Sequence, residues 1–283
     1  MKQQIINLVK MALAEDIGSG DVTSIAFIPE TAKSQGRILT RKSAIVAGLS
    51  VVKEIFRQID TDVLVTPRSE NGTLLSSGET ILELEGPSRS LLLGERVALN
   101  FLGKLMGIAT LTHSYVEAVA GTDVIILDTR KMTPGWRLLE KEAVKAGGGK
   151  NHRMGLFDAV LVKDNHLASL GSDQFSTLPA IIQQCRFHHP EIKIELEADT
   201  LEQVRFFLNI KEVNSILLDN MSLDEMREAV LMRNDKASSV RLEASGGITL
   251  ENIRSVAKTG IDEISLGALT HSAPWTDLSM EIY

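Results

Sequence analysis

The spacing of apolar residues changes along this chain, and each change marks a different kind of element. Ile5, Leu8, Val9, Ala12 and Leu13 recur at helical spacing, which predicts an amphipathic helix ending near Gly18-Ser19-Gly20. From about Gly36 to Gly86 short β-like pieces take over, GRILTRKSAIVAG, DVLVTP and ETILELEG, with one helical insert, VVKEIFRQI. A long apolar-rich helix is predicted from Gly94 to about Ala120. Beyond residue 123 short apolar runs alternate with amphipathic helices: VIILD, AVLVKD, IELEAD, SILLDN, VRLEAS and EISLGAL are the six predicted strands. Strands separated by helices imply βαβ units, and such units imply a parallel sheet buried on both faces.

An open doubly wound sheet and a closed barrel share that periodicity. The polar residues favour the barrel, because each apolar run ends in a group that can do chemistry. Asp128, Thr129, Arg130 and Lys131 follow the first run; Lys163 and Asp164 follow the second; Glu197, Asp219, Ser245 and Gly267 follow the others. In a barrel all these carboxyl ends meet at one mouth, whereas an open sheet gathers fewer of them at its switch point. The expected fold is α/β, a β/α barrel preceded by a smaller α+β domain of about a hundred residues.

Composition narrows the setting. The 283 residues carry a net charge of −7 without long like-charge runs, which argues against a general nucleic-acid binder. A single cysteine, Cys185, makes no intrachain disulfide, and no stretch approaches a membrane span, so the expected location is the cytoplasm. Charge is uneven, however. Residues 128–166 hold eight Lys/Arg against five Asp/Glu, a local +3 that leaves −10 on the rest. An acidic protein can in this way focus a small anion into a cleft.

The cations of that segment differ in what they suit. Arg130 and Arg153 each offer a planar fork for a carboxylate, so the pair suits a dicarboxylate; Lys131 and Lys163 are point charges for carboxylate or phosphate. Gly147-Gly148-Gly149 lets backbone approach a ligand closely while aiming His152 and Arg153 inward. Ser245-Gly246-Gly247 and Leu266-Gly267-Ala268 follow the last two strands, where barrels often bind phosphate through backbone amides. Glu197 and Asp219, ending neighbouring strands, suit a hard cation such as Mg²⁺, directly or through water. Lys163 also admits another chemistry, a Schiff-base lyase, since a desolvated strand-end lysine can be nucleophilic.

The chain resembles the quinolinate phosphoribosyltransferase family, the carboxylating nicotinate-nucleotide pyrophosphorylases. The likeness runs through EDIGSGDVT, GERVALNFLGKLMGIAT, DTRK-x-TPG, GGGKNHR-x-GL, VKDNH, LLDNM, LEASGGI and ISLGALTHSAP, nearly the whole chain. The resemblance implies an N-terminal α+β sandwich over residues 1–110 and an incomplete β/α barrel over 111–271, with the tail 272–283 returning to the first domain. It implies that quinolinate and phosphoribosyl pyrophosphate react, with Mg²⁺, to nicotinate mononucleotide, pyrophosphate and CO₂. It also implies a homo-oligomer, a dimer or hexamer, in which Arg96 reaches the neighbouring subunit's site. Thr129, Arg130, His152, Arg153 and Lys163 correspond to the quinolinate pocket. Lys131, Glu197, Asp219 and the loops 245–247 and 266–268 correspond to the phosphoribosyl pyrophosphate side, with Lys131, Lys163, Glu197 and Asp219 as the catalytic set. Met132, Trp136, Glu142 and the Ala198-Asp199 pair depart from the family's usual wording, although none is an implied contact. A paralogous family associated with molybdenum transport shares the fold but tends to lack the Asn-His-Arg and Lys-Asp-Asn-His motifs.

Overall fold

A computed structural model describes residues 2–171, 174–236 and 238–283. The first half runs α1 (Lys2–Ile17), α2 (Val22–Phe27), β1 (Lys33–Thr40), β2 (Ala44–Ile45), α3 (Leu49–Ile59), β3 (Leu64–Pro67), β4 (Leu74–Leu75), β5 (Thr80–Pro87) and α4 (Ser88–Ala118). Then come β6 (Ile125–Leu127), α5 (Arg137–Ala146), β7 (Ala159–Val162), α6 (Asp164–Ala168), α7 (Gln174–His188), β8 (Lys193–Ala198) and α8 (Leu201–Phe207). The last part is β9 (Ser215–Asp219), α9 (Leu223–Asp235), β10 (Arg241–Ser245), α10 (Ile253–Ala257), β11 (Glu263–Ser265), α11 (Ala268–His271) and β12 (Leu278–Ile282). All six strands expected after residue 123 are present, and the long helix α4 begins at Ser88, before the expected Gly94.

Contacts divide the chain into two units, one of residues 1–113, 131–149 and 268–283, the other of 114–130 and 150–267. In the first, β12, β1, β5 and β3 form an antiparallel sheet in that order, and the chain's last strand pairs with its first, Gly36 opposite Ile282. The α3 helix buries Leu49, Val51, Val52, Ile55 and Phe56 along one stripe, the amphipathic pattern that roots a surface helix. Its cap, Gly48, has φ 95°, and a Cβ there would lie 2.8 Å from Leu105, so both backbone and space demand glycine. Within the same unit Gly147 has no room for a side chain, because a Cβ would strike the Ala109 carbonyl and Thr112.

The second unit is a parallel sheet of order β6-β11-β10-β9-β8-β7, so β6 and β7 are its edges. Alternation decides what each face does. Ile194, Leu196, Ile216, Leu218, Leu242, Ala244 and Ile264 are fully buried and form the apolar face. Glu195, Glu197, Glu243 and Ser265, interleaved with them, are also buried. The expectation of a sheet buried on both faces therefore holds, but one of those faces is acidic rather than apolar. Residues of β6, β7, β8, β9, β10 and β11 all line one cavity of about 680 Å³, as an inward-curled sheet requires. This is an incomplete β/α barrel, while the first unit carries the α+β sheet. Two helices start where local sequence says they should: Thr200 with Gln203 and Ser222 with Glu225 form reciprocal capping boxes just after β8 and β9.

Candidate active site

The strand-end residues of the second unit lie at or just beyond the carboxyl ends of their strands. Lys163 directly follows β7, and its Nζ donates to Glu197 Oε2 at 2.9 Å across to β8. The Lys163 side chain is 47% exposed and ion-paired. A Schiff-base lysine instead works as a neutral amine in an apolar setting, so the lyase chemistry has no support here. Asp219 ends β9, and its carboxylate accepts from Asn220 Nδ2 at 2.9 Å. Its charge and that of Asp164, acting after burial, push the Asp199 carboxyl above its ordinary range, so acidic groups gather at these ends.

The loops after β9 and β10 meet closely. Asn220 adopts φ 53°, its N–H donates to the Ser245 carbonyl at 2.9 Å, and a Cβ on Gly246 would collide with the Asn220 amide. Gly246 and Gly247 have φ 92° and 61°, conformations that suit glycine and turn the backbone sharply behind Ser245. After β11, the Leu266 N–H donates to the Leu127 carbonyl at 3.0 Å, with Gly267 next in the chain.

Arg130 and Arg153 form the cationic part. Arg130 follows β6 and Thr129, and its Nε is buried without a hydrogen-bond partner. A buried guanidinium Nε of this kind is a donor able to bond a carboxylate acceptor. Burial and then the Arg130 charge hold the Arg153 guanidinium below its ordinary pKa, while Glu195 and Asp158 oppose the shift. Arg153 reaches the Ala159 carbonyl with Nη1 at 3.3 Å, and with His152 it lines the barrel cavity. Lys131, Ala268 and Arg96 belong to the first unit. There the Lys131 carbonyl accepts from Thr270 Oγ1 at 2.8 Å, and the Arg96 side chain is exposed on α4.

Sequence reasoning missed two groups in this cavity, Glu195 and Glu243. His152 Nε2 lies 2.8 Å from Glu195 Oε2 and 3.6 Å from Glu243 Oε2. Burial pushes Glu243 well above the glutamate range, and the charge of Glu195 adds to it. Burial would raise Glu195 too, but the His152 hydrogen bond and charge, with the Ser215 hydroxyl, outweigh it and hold that carboxyl low. The ligating atoms of His152, Glu195 and Glu243 fall within 4.8 Å of one another, a grouping able to hold a metal ion. The signal was present in the sequence: a carboxylate in the middle of a doubly buried strand has to face a polar interior.

Two family models match, the quinolinate phosphoribosyl transferase N-terminal domain over residues 21–106 and its C-terminal domain over residues 108–281. The chain belongs to the quinolinate phosphoribosyltransferase family. It is 39% identical over 283 residues to the probable carboxylating nicotinate-nucleotide pyrophosphorylase of Bacillus subtilis (strain 168), covering 99% of this chain and 93% of that protein. It is 40% identical over 279 residues to the carboxylating nicotinate-nucleotide pyrophosphorylase of Mycobacterium leprae (strain TN), covering 97% and 95%. Among solved structures, NadC from Streptococcus pyogenes superposes with a TM-score of 0.92 at 38% identity, over 100% of this chain and 98% of that one. The nicotinate-nucleotide pyrophosphorylase from Francisella tularensis gives a TM-score of 0.91 at 34% identity, over 100% and 97%.

Proposed function

We propose that this enzyme transfers the phosphoribosyl group of phosphoribosyl pyrophosphate to quinolinate with decarboxylation, giving nicotinate mononucleotide, pyrophosphate and CO₂. The observation that carries the reading is the presence of two guanidinium groups, Arg130 and Arg153, within reach of each other's charge, Arg130 keeping a buried Nε that makes no hydrogen bond. Two adjacent cations repel unless a dianion lies between them, and a pyridine dicarboxylate supplies two planar acceptors for two planar forks. His152, Lys163 and Thr129 complete the pocket in this reading.

The ring nitrogen of quinolinate attacks the ribose anomeric carbon as the bond to pyrophosphate oxygen breaks. The ring then carries positive charge, the carboxyl carbon bond at its adjacent position breaks to release CO₂, and the electron pair left on the ring takes a proton from solvent. No protein nucleophile is needed. Lys163 and Lys131 offset charge on the departing pyrophosphate, while Glu197 and Asp219 favour the cationic ribose. Holding two substrates in line supplies a large share of the acceleration.

Glu197 and Asp219 would hold Mg²⁺, and Asp199 lies in the same acidic group. All their donors are oxygen, as a hard cation prefers, although one Glu197 oxygen is already paired with Lys163. When bound, Mg²⁺ neutralises charge on pyrophosphate. The His152, Glu195 and Glu243 group mixes nitrogen with oxygen and suits Mg²⁺ less well. The 245–247 and 266–268 loops take the ribose phosphate in this reading. The proposal extends to domains over 1–110 and 111–271 with the 272–283 tail in the first, and to a cytoplasmic homo-oligomer in which Arg96 serves the neighbouring subunit. No helix among the described residues is long and apolar enough to cross a membrane.

The test is direct: purified protein with quinolinate, phosphoribosyl pyrophosphate and MgCl₂ yields nicotinate mononucleotide and CO₂ in equal amounts. Binding of both substrates without product overturns the assignment. Mixing an Arg96→Ala variant with a Lys163→Ala variant restores part of the activity if sites are shared; verified mixed oligomers that stay inactive count against sharing.

A further inference from the structure

His152 is fixed at two places that lie far apart in the sheet. Its backbone N–H donates to Asp128 Oδ1 at 2.9 Å, and Asp128, fully buried, sits just past the edge strand β6. Its ring nitrogen Nε2 meets Glu195 Oε2 at 2.8 Å, on β8, which pairs with the opposite edge strand β7. The loop 150–153 thus spans from one edge of the open sheet towards the other, and His152 is tied at both ends. Glu195 is fixed in turn, because Ser215 Oγ donates to its second oxygen at 2.9 Å from β9. Both carboxylate oxygens are engaged, so the carboxylate cannot rotate without losing a bond. An ionised carboxylate can only accept, so this contact favours a proton on Nε2 of the imidazole.

We infer that Glu195 is a positioning residue for the pyridine dicarboxylate: it locks the His152 ring in one orientation and tautomer next to Arg153, so that the pocket is rigid before substrate arrives. The inference rests on the quinolinate reading above. Its physical basis is preorganisation. A ring free to swing must be ordered when the ligand binds, and that ordering cost is subtracted from affinity. Residue neighbours make the effect specific, since His152 and Arg153 line the same cavity while Lys163 and Glu197 are paired with each other.

The alternative occupant of the trio is a metal ion. Four ligands around one ion at ordinary bond lengths stand roughly 3.3 Å apart. The 2.8 Å separation of His152 Nε2 and Glu195 Oε2 is instead that of a hydrogen bond, which favours positioning over ligation.

Glu195→Gln keeps the shape and removes the charge. It is expected to raise Kd and KM for quinolinate by about tenfold while KM for phosphoribosyl pyrophosphate stays within about twofold. In a His152→Ala background the same change adds less than about twofold, because Glu195 acts through the imidazole. Ser215→Ala, which removes only the outer bond, gives a smaller loss of the same selectivity and serves where Glu195→Gln does not fold. Glu195→Asp, with one methylene fewer, recovers part of the affinity only if a carboxylate is what orients the ring. Equal rises for both substrates, or additive losses in the double variant, overturn the inference; so does stoichiometric transition metal in the purified protein whose removal reproduces the Glu195→Gln defect. Wild-type protein that binds both substrates yet makes no nicotinate mononucleotide sinks the functional reading itself, whereas normal wild-type turnover with an unaltered Glu195→Gln variant sinks only the positioning role.

Discussion

Lys163 and Glu197 face each other from the ends of neighbouring strands, Nζ 2.9 Å from Oε2, with the lysine side chain 47% exposed and the glutamate 9%. The exposure of the cation separates stability from chemistry. A half-solvated ion pair contributes under about 1 kcal/mol to folding. Lys163→Met should therefore leave the urea unfolding free energy within about 1 kcal/mol while kcat/KM falls by at least about 100-fold. A loss of activity that tracks a loss of stability would instead make the pair structural.

The two arginines belong to the dicarboxylate side of the reading. Charge-assisted bonds to a carboxylate are worth about 1.5–3 kcal/mol, so Arg130→Ala or Arg153→Ala should weaken quinolinate binding by about 10- to 100-fold. Phosphoribosyl pyrophosphate binding should change by less than about threefold, as calorimetry on each substrate alone would reveal. Matching losses for both would remove the division of the site.

A second ion pair is structural by the same criterion. Glu140 of α5 is fully buried, lies 3.2 Å from Lys104 of α4 and accepts from the Thr133 N–H at 3.2 Å. Lys104 also sits 5.8 Å above the Trp136 ring, which stacks on Phe101 at 4.4 Å. Lys104→Met leaves a buried carboxylate uncompensated and should cost about 3–5 kcal/mol in urea unfolding. Adding Glu140→Leu should recover much of that loss, since the penalty comes from the orphaned charge rather than the missing attraction.

Stability should also respond to pH through Glu243. Burial and the Glu195 charge raise its folded pKa, so the folded protein keeps a proton that the unfolded chain gives up above about pH 4.3. With more protons bound in the folded state, stability is greatest below the unfolded value and falls as pH rises through the folded one. Glu243→Gln should flatten that decline when urea melts at pH 5 and pH 8 are compared. A variant with the wild-type slope would assign the dependence to another group.

The sequence by itself determined the elements and the chemistry at their ends. Six strands after residue 123 could be read because a largely apolar run of three to six residues between amphipathic helices is a local pattern, and because a polar residue of each run falls at or next to the strand's carboxyl end. Lys163, Glu197 and Asp219 were legible for that reason. Only the tertiary structure decided what the interior glutamates do. Glu195 and Glu197 share a face by simple alternation, yet one meets Lys163 and the other meets His152, 43 residues away in the chain. The same holds for β12 on β1, and for Lys131 and the helix α5 grouping with the first unit. Periodicity fixes which face a side chain takes, a short-range property. Which partner waits on that face depends on how the sheet curls and which segments return to it, and no local pattern encodes that.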